Sequence, residues 1–130
     1  MAGSRSPARR WLTKAQQDLA AAERVISPPP LPAVACFHAH QAAEKSLKAV
    51  AAHLGAQEIP RTHSLLESAQ LIRDVGGSTP FSDEQLASLD PYAVQARYPD
   101  FPEPSGHAAG QAVELAREIC AWAQRIISSE

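Results

Sequence analysis

Apolar residues recur with helical spacing in several long stretches of the chain. The first stretch follows Pro7. Its apolar positions are three or four residues apart and predict a first helix: Leu12, Ala15, Leu19, Ala22 and Ile26. The proline-rich run from Ser27 to Pro32 ends this helix, because proline lacks an amide donor and clashes with the preceding turn. A second helix is predicted from about Ala33 to Leu54, with Gly55 as its C-terminal cap.

Three further segments have helical patterns. A third helix is predicted to start at Thr62, which places His63 in its first turn, and to end near Gly76 and Gly77. Ser82, followed by two acidic residues, is a strong start signal for a fourth helix reaching Ala93 to Arg97. The proline-rich segment RYPDFPEPSGH favours an extended loop, and the last helix runs from about Ser105 to Ile127.

These elements predict an all-α fold, an up-and-down antiparallel bundle of four to five helices. A length of 130 residues suits one domain, residues 1–130, of which residues 1–7 are expected to form a flexible basic N-terminus. Apolar residues make up 45% of the chain but aromatic residues only 5%, and much of the apolar content is alanine. Alanine-rich composition favours closely packed helices over sheets.

Charge and cysteine content narrow the class of protein. The formal net charge of -2 argues against a generally basic surface that coats nucleic acid, so a site for nucleotides or RNA must be a local cluster. Cys36 and Cys120 lie in apolar helical patterns and are expected to be buried free thiols in a reducing compartment. The basic N-terminus leads into no continuous apolar stretch, so we expect a cytoplasmic protein without a membrane partner.

The second helix has two contrasting faces. At 100° per residue, the apolar face is predicted to enter the core and holds Cys36, His40, Ala43, Leu47, Val50 and Leu54. The opposite face carries a polar edge, His38, Gln41, Lys45 and Lys48, beside the small Ala52. Phe37 and Glu44 lie at the boundary between the faces.

This polar edge has several interpretations. It can be read as an ordinary solvated face, as one half of a subunit interface, or as a site at which lysine and imidazole bind phosphate oxygens. Glu44 stands four residues before Lys48, and an ion pair between them would weaken the anion-site interpretation for Lys48 more than for Lys45.

Other candidate chemistry lies in the loops. Arg97 and Tyr98 precede Pro99 at a fixed corner, and His107 stands at the start of the last helix, where backbone amides favour anions. An Arg97 guanidinium that binds a phosphate with two hydrogen bonds and a His107 that acts as a general acid or base would suit RNA cleavage. Equally, Arg97 could cap its own helix and Tyr98 pack on the bundle end. No metal site is expected, because His38 and His40 point to nearly opposite sides of one helix.

Three strings in order resemble the HEPN domain, the higher eukaryotes and prokaryotes nucleotide-binding family: CFHAHQAAEKSLKA, then RTHSLLE, then YAVQARYPD. The early AQQDLAAAE is similar to that family's first helix. The resemblance implies an all-α bundle, often a homodimer, that accompanies a minimal nucleotidyltransferase in a toxin–antitoxin pair. Many members are metal-independent ribonucleases with the motif Arg, four to six residues, then His; here nine residues separate Arg97 from His107.

The resemblance and the residues together support three hypotheses. In the first, the chain is a binding module that docks a nucleotidyltransferase and binds a nucleotide, with no other cofactor, through the candidate residues His38, Gln41, Lys45, Lys48, His63, Arg97 and Tyr98. In the second, it is a ribonuclease toxin in which Arg97 and His107 meet despite their separation. In the third, it is a structural dimerisation module with the polar edge at the subunit interface.

Overall fold

The computed structural model describes residues 6–95 and 98–128, and these residues form α-helices joined by turns and loops. The bounds of the six helices in this part of the chain are α1 Pro7–Ile26, α2 Pro32–His53, α3 Leu65–Asp74, α4 Asp83–Ala87, α5 Tyr92–Gln95 and α6 Gly106–Ser128. The all-α prediction is confirmed. The expected bounds of the first, second and last helices agree with the structure to within one residue.

Helix α2 is the centre of the bundle and packs against α1, α3, α5 and α6. Helix α1 runs antiparallel to α6, because Glu23 pairs with Arg117 while Gln16, earlier in α1, bonds Gln124, later in α6. Small side chains permit the close packing of α2, where the fully buried alanines include Ala35, Ala39, Ala42, Ala43, Ala49 and Ala51. The alanine-rich composition therefore serves close contact between helices.

The predicted core face of α2 is buried except at its last residue. Cys36, His40, Ala43, Leu47 and Val50 are all completely buried, but Leu54 is 39% exposed. Leu54 lies just past the helix as its C-cap, so the helical periodicity that would aim it at the core no longer applies. The expected cap is confirmed, since Gly55 follows with a φ of 107°, a conformation that favours glycine.

Helix α2 takes the cap at its N-terminus from a distant segment. Leu31 precedes the helix and provides no side-chain hydrogen bond. Instead, the carboxylate of Glu103 accepts a hydrogen bond from the Ala33 amide at 3.1 Å. Glu103 belongs to the proline-rich loop that precedes α6, so this bond fastens that loop to the start of α2.

The prediction of one continuous fourth helix is wrong. Helix α4 ends at Ala87, turns occupy residues 88–91, and α5 is a separate single turn. The capping box of Ser82 and Gln85 is present and explains the correct start. Pro91 explains the break, because proline offers no amide donor and disfavours helical backbone at the residue before it, Asp90.

The third helix begins later than predicted. Ser64, rather than Thr62, is the N-cap, and its hydroxyl accepts a hydrogen bond from the Glu67 amide at 3.3 Å. The Thr62 hydroxyl accepts from the Ser64 amide at 3.1 Å, which orders the loop just before the helix. His63 therefore lies in this loop and not inside α3. Across residues 6–95 and 98–128, no helix is long and apolar enough to cross a membrane.

Candidate functional site

The polar edge of α2 lies against α1, where a single carboxylate holds two of its members. Asp18 accepts hydrogen bonds from His38 Nδ1 at 3.1 Å and from Lys45 Nζ at 2.7 Å, one on each oxygen. A carboxylate only accepts, so His38 carries a hydrogen on Nδ1. The side chains of His38 and Lys45 remain 30% and 24% exposed. An anion that reaches Lys45 must therefore compete with Asp18.

Gln41, between these two residues along the polar edge, is half-buried and makes no hydrogen bond to the described residues. Its amide has two donors and an acceptor that stay available to a ligand. The polar edge thus combines one paired cation, one oriented imidazole and one uncommitted amide.

Lys48 departs from the rest of the predicted polar edge because it is buried. Its ammonium donates to Glu44 at 2.9 Å and to the Thr62 carbonyl at 2.8 Å, and lies 5.5 Å from the centre of the Trp11 ring. The side chains of Glu44 and Lys48 are only 5% and 4% exposed. The i,i+4 pair considered from the sequence is present, and it directs this lysine into the bundle instead of towards solvent.

Glu44 also holds His63, whose Nδ1 lies 3.0 Å from the other carboxylate oxygen. The His63 side chain is 64% exposed, so the loop presents an imidazole to solvent while a buried carboxylate fixes one ring nitrogen. Asp90 contributes to the same region by accepting from the Leu65 amide at 3.0 Å. These contacts tie the loop before α3 to the middle of α2.

His40 completes this cluster from inside the core. Its Nε2 lies 2.9 Å from the His63 carbonyl oxygen and 3.4 Å from Asp90 Oδ1, so Nε2 carries the hydrogen that is donated. Its Nδ1 has no hydrogen-bond partner among the described residues and lies 3.9 Å from Glu44. His38 and His40 thus contact different elements, and no group of three potential metal ligands occurs within the described ranges.

Tyr98, the candidate residue next to Pro99, lines a cavity of about 380 Å³ at the N-terminal end of α2. Tyr98 is 55% exposed, and its ring meets Phe101 edge to face, with the ring centres 6.2 Å apart. Gln95 and Glu103 supply polar groups to the lining, and Ala33 and Tyr92 contribute its helical side. Arg97 lies outside the described residues.

His107 is the second residue of α6 and is exposed. It makes no hydrogen bond to the part of the chain that the structure describes, and it does not line the Tyr98 cavity. The capping role at this helix end belongs to Ser105, whose hydroxyl accepts from the Ala108 amide at 3.0 Å.

Both cysteines are free and buried, as expected from their apolar helical positions. Burial raises the pKa of Cys36 to about 11, although a hydrogen bond with Tyr92 opposes the shift. Burial likewise raises the pKa of Cys120 to about 11, against the effect of a hydrogen bond from Ser46. Burial also raises the pKa of the Tyr92 phenol, and the neighbouring Cys36 adds to this rise. Such thiols are protonated and weakly nucleophilic at neutral pH.

Three residues that organise these sites were missed from the sequence. Asp18 has a detectable signal, because it stands within the apolar stripe of α1, between Ala15 and Ala22, where a carboxylate needs a partner. Asp90 and Glu103 have weaker signals, since each acts on a backbone amide in an element far away in the sequence.

The fold and the cluster on α2 define a small helical-bundle protein, and comparison with known proteins gives its family. The model of the HEPN domain matches residues 8–126. The chain therefore belongs to the HEPN domain family. A search of curated proteins finds no match.

Two solved structures are similar over nearly their whole length. TT1696 from Thermus thermophilus is 30% identical with a TM-score of 0.75, and the alignment covers 94% of this chain and 99% of that one. ST0689, described as an archaeal HEPN homologue, is 25% identical with a TM-score of 0.66. The alignment covers 92% of this chain and 97% of that one. Both similarities support the helical-bundle fold.

Proposed function

We propose that this HEPN domain is a nucleotide-binding and partner-docking module, paired with a minimal nucleotidyltransferase in a cytoplasmic toxin–antitoxin system. The observation that carries the proposal is the clustering of exposed apolar side chains near the Tyr98 cavity. Of the six large apolar residues that are exposed in the described part of the chain, five belong to segments that line or adjoin this cavity: Leu31, Val34, Val94, Tyr98 and Phe101.

These five residues, called the apolar end, have the properties of an interaction surface. Scattered apolar residues are normal on protein surfaces, but a concentration around one cavity marks a site of binding. Aromatic side chains are enriched at protein interfaces, where they bury a large area at little cost in side-chain entropy. A protein partner, a nucleotidyltransferase or a second copy of this chain, would cover the apolar end.

The nucleotide would use aromatic and polar groups that are already exposed. Tyr98 and Phe101 offer ring faces on which a base can stack, and the Gln95 amide can bond to a base edge. Lys45 and His38 are candidate phosphate ligands, provided that the phosphate displaces Asp18 from them. His63 offers a further imidazole on the other side of α2, and Lys48 is expected to support that loop from its buried position.

Binding is tested by calorimetric titration with ATP and other nucleoside triphosphates. Tyr98→Ala and Lys45→Ala are expected to weaken binding about tenfold each, whereas Lys14→Ala, a change at an exposed lysine of α1, leaves it unchanged. Asp18→Asn removes the competing charge and is expected to strengthen binding. Absence of binding by the unaltered chain, alone and with its partner, would refute the nucleotide half of the proposal.

Partner docking is tested by coexpression with the product of the adjacent gene, where that gene encodes a minimal nucleotidyltransferase, followed by purification of the pair. Val94→Ser with Phe101→Ser should abolish copurification, because both changes place hydroxyls in the apolar end. Leu54→Ser is the matched control, since Leu54 is the sixth exposed apolar residue and lies at the opposite end of α2. Equal losses in the two variants would contradict docking at the apolar end.

The ribonuclease hypothesis remains a prediction that rests on Arg97 and His107. It requires metal-independent cleavage of RNA by the pure protein and its loss on His107→Ala. The exposure of His107 is compatible with this role, but its surroundings in the described part of the chain include none of the buried partners that orient a catalytic imidazole.

A further inference from the structure

A second groove runs along α6 on a part of the surface separate from the polar edge of α2. It has a volume of about 520 Å³ and is formed by α4, the turn after it, Tyr92 of α5 and one side of α6. We call it the acidic groove, because the charged residues that line it are all carboxylates: Glu84, Glu114 and Glu118.

The floor of the acidic groove is apolar. Leu89 is 1% exposed and Ala112 is 5% exposed, while Tyr92 and Leu115 are half-buried and present part of their surface to the groove. Leu89 and Ala112 are already covered, so the apolar surface left for a partner comes from Tyr92 and Leu115. A second apolar surface that covers these two side chains gains the corresponding hydrophobic free energy.

Two of the three carboxylates on the rim of the groove are not neutralised by the described residues. The carboxylates of Glu84 and Glu118 are exposed and form no ion pair or hydrogen bond with the described residues. Glu114 pairs with Arg117, which is one turn along α6 and also pairs with Glu23 of α1. The arrangement of an apolar floor between carboxylates is complementary to a surface with apolar residues between lysines or arginines.

The length of the groove favours a helix as its occupant. From Ala108 to Glu118 the groove follows α6 for about 15 Å, the length of a helix of about ten residues. A helix that lies along α6 presents residues at i, i+3, i+4 and i+7 to one side, which suits the narrow apolar floor. Lysine or arginine on the flanks of that stripe would reach the carboxylates on the rim.

We infer that the acidic groove is a docking site for a basic amphipathic helix of a protein partner. The inference rests on the proposed function in one respect, that the nucleotidyltransferase partner would supply this helix. The groove would add a second contact to the one at the apolar end, and it shares the lining residue Tyr92 with the Tyr98 cavity. Charge on the rim would select the partner and accelerate its association, and the apolar floor would hold it.

The test uses the full chain and a synthetic twelve-residue peptide with leucines at helical spacing and lysines elsewhere. One control peptide has the same composition in scrambled order. The other keeps the pattern of leucines but has glutamates in place of lysines. Fluorescence anisotropy measures affinity, and NMR chemical shifts locate the bound peptide. The patterned basic peptide is expected to bind at least tenfold more tightly than either control and to shift amides of α4 and α6.

The matched variants change only charge. Glu84→Gln with Glu118→Gln leaves the contacts of Arg117 intact and is expected to weaken peptide binding about tenfold at low salt. Glu58→Gln with Glu67→Gln, at exposed positions outside the groove, is the control and should have little effect. The inference is overturned if both double variants lose affinity equally, if the scrambled peptide binds as tightly, or if the shifts map elsewhere.

Sedimentation distinguishes the other possible occupant. If the chain self-associates and Glu84→Gln with Glu118→Gln abolishes this, the groove is occupied by a second copy and the inference of a basic helix from a different protein is wrong. Failure of the nucleotidyltransferase to copurify, with specific peptide binding retained, would instead contradict the proposed partner and leave the acidic groove supported.

Discussion

The buried ion pair between Glu44 and Lys48 gives a direct test of how the bundle is held together. Glu44→Gln preserves the size and shape of the side chain but removes the charge that faces Lys48 at 2.9 Å. The lysine then remains 4% exposed in the core without a counterion, and only neutral acceptors, the new amide oxygen and the Thr62 carbonyl, face its ammonium. Breaking a buried pair in this way costs about 3 kcal/mol or more, because one charge stays buried and uncompensated.

The assay is equilibrium unfolding in urea, followed by circular dichroism. With a slope of about 1.5 kcal/mol per molar urea, a loss of about 3 kcal/mol lowers the midpoint by about 2 M. Glu58→Gln, the same chemical change at an exposed residue, is expected to alter the free energy of unfolding by less than about 0.5 kcal/mol.

A double change separates lost charge from lost packing. Glu44→Leu with Lys48→Met removes both charges and keeps apolar volume, so it should recover most of the stability lost in Glu44→Gln. The reasoning is refuted if Glu44→Gln lowers the free energy of unfolding by less than about 1 kcal/mol. It is also refuted if the double variant is as unstable as the single one.

Three further predictions concern the thiols, a helix cap and the ribonuclease hypothesis. The pKa values of Cys36 and Cys120 are raised from 9.0 to about 11 in the folded chain, so the contribution of the two thiols to stability should be constant below about pH 8 and fall as pH rises from about 9 to about 11. Urea midpoints at about pH 8 and about pH 10 measure this, and a smaller fall is expected in Cys36→Ala with Cys120→Ala. Ser82→Ala removes the capping box of α4 and should cost about 1 kcal/mol in the same assay, with Ser78→Ala as an unaffected control. If the chain cleaves RNA, His107→Ala should abolish cleavage and Gln111→Ala, one turn along α6, should not; cleavage that survives His107→Ala would contradict the assigned role.

The helices of this bundle could be predicted because their signals are local. Prolines, glycines and capping residues act within one turn, and they gave the ends of α1, α2 and α6 to within one residue. The error in the fourth helix also has a local cause, since Pro91 disfavours helical backbone at Asp90 and interrupts the helix that the start signal at Ser82 predicts.

The candidate site was harder to predict because its partners come from other helices. Helical periodicity places Lys45 and Lys48 on one edge of α2. In the structure, Asp18 of α1 holds Lys45 near the surface. Glu44 and the Thr62 carbonyl hold Lys48 inside the bundle. Single-helix periodicity cannot tell these two lysines apart. The distinction depends on which residue of α1 or of the loop before α3 faces each one.

The bond from Glu103 to the start of α2 has a consequence for observing ligand binding. Hydrogen exchange of the Ala33 amide requires that bond to break, so its rate reports how often the loop before α6 leaves α2. Glu103 also lines the Tyr98 cavity. A ligand or partner that settles there while the bond is intact would slow exchange at this one amide, and one that pulls the loop away would speed it. A single backbone position therefore distinguishes two modes of occupancy without any label on the ligand.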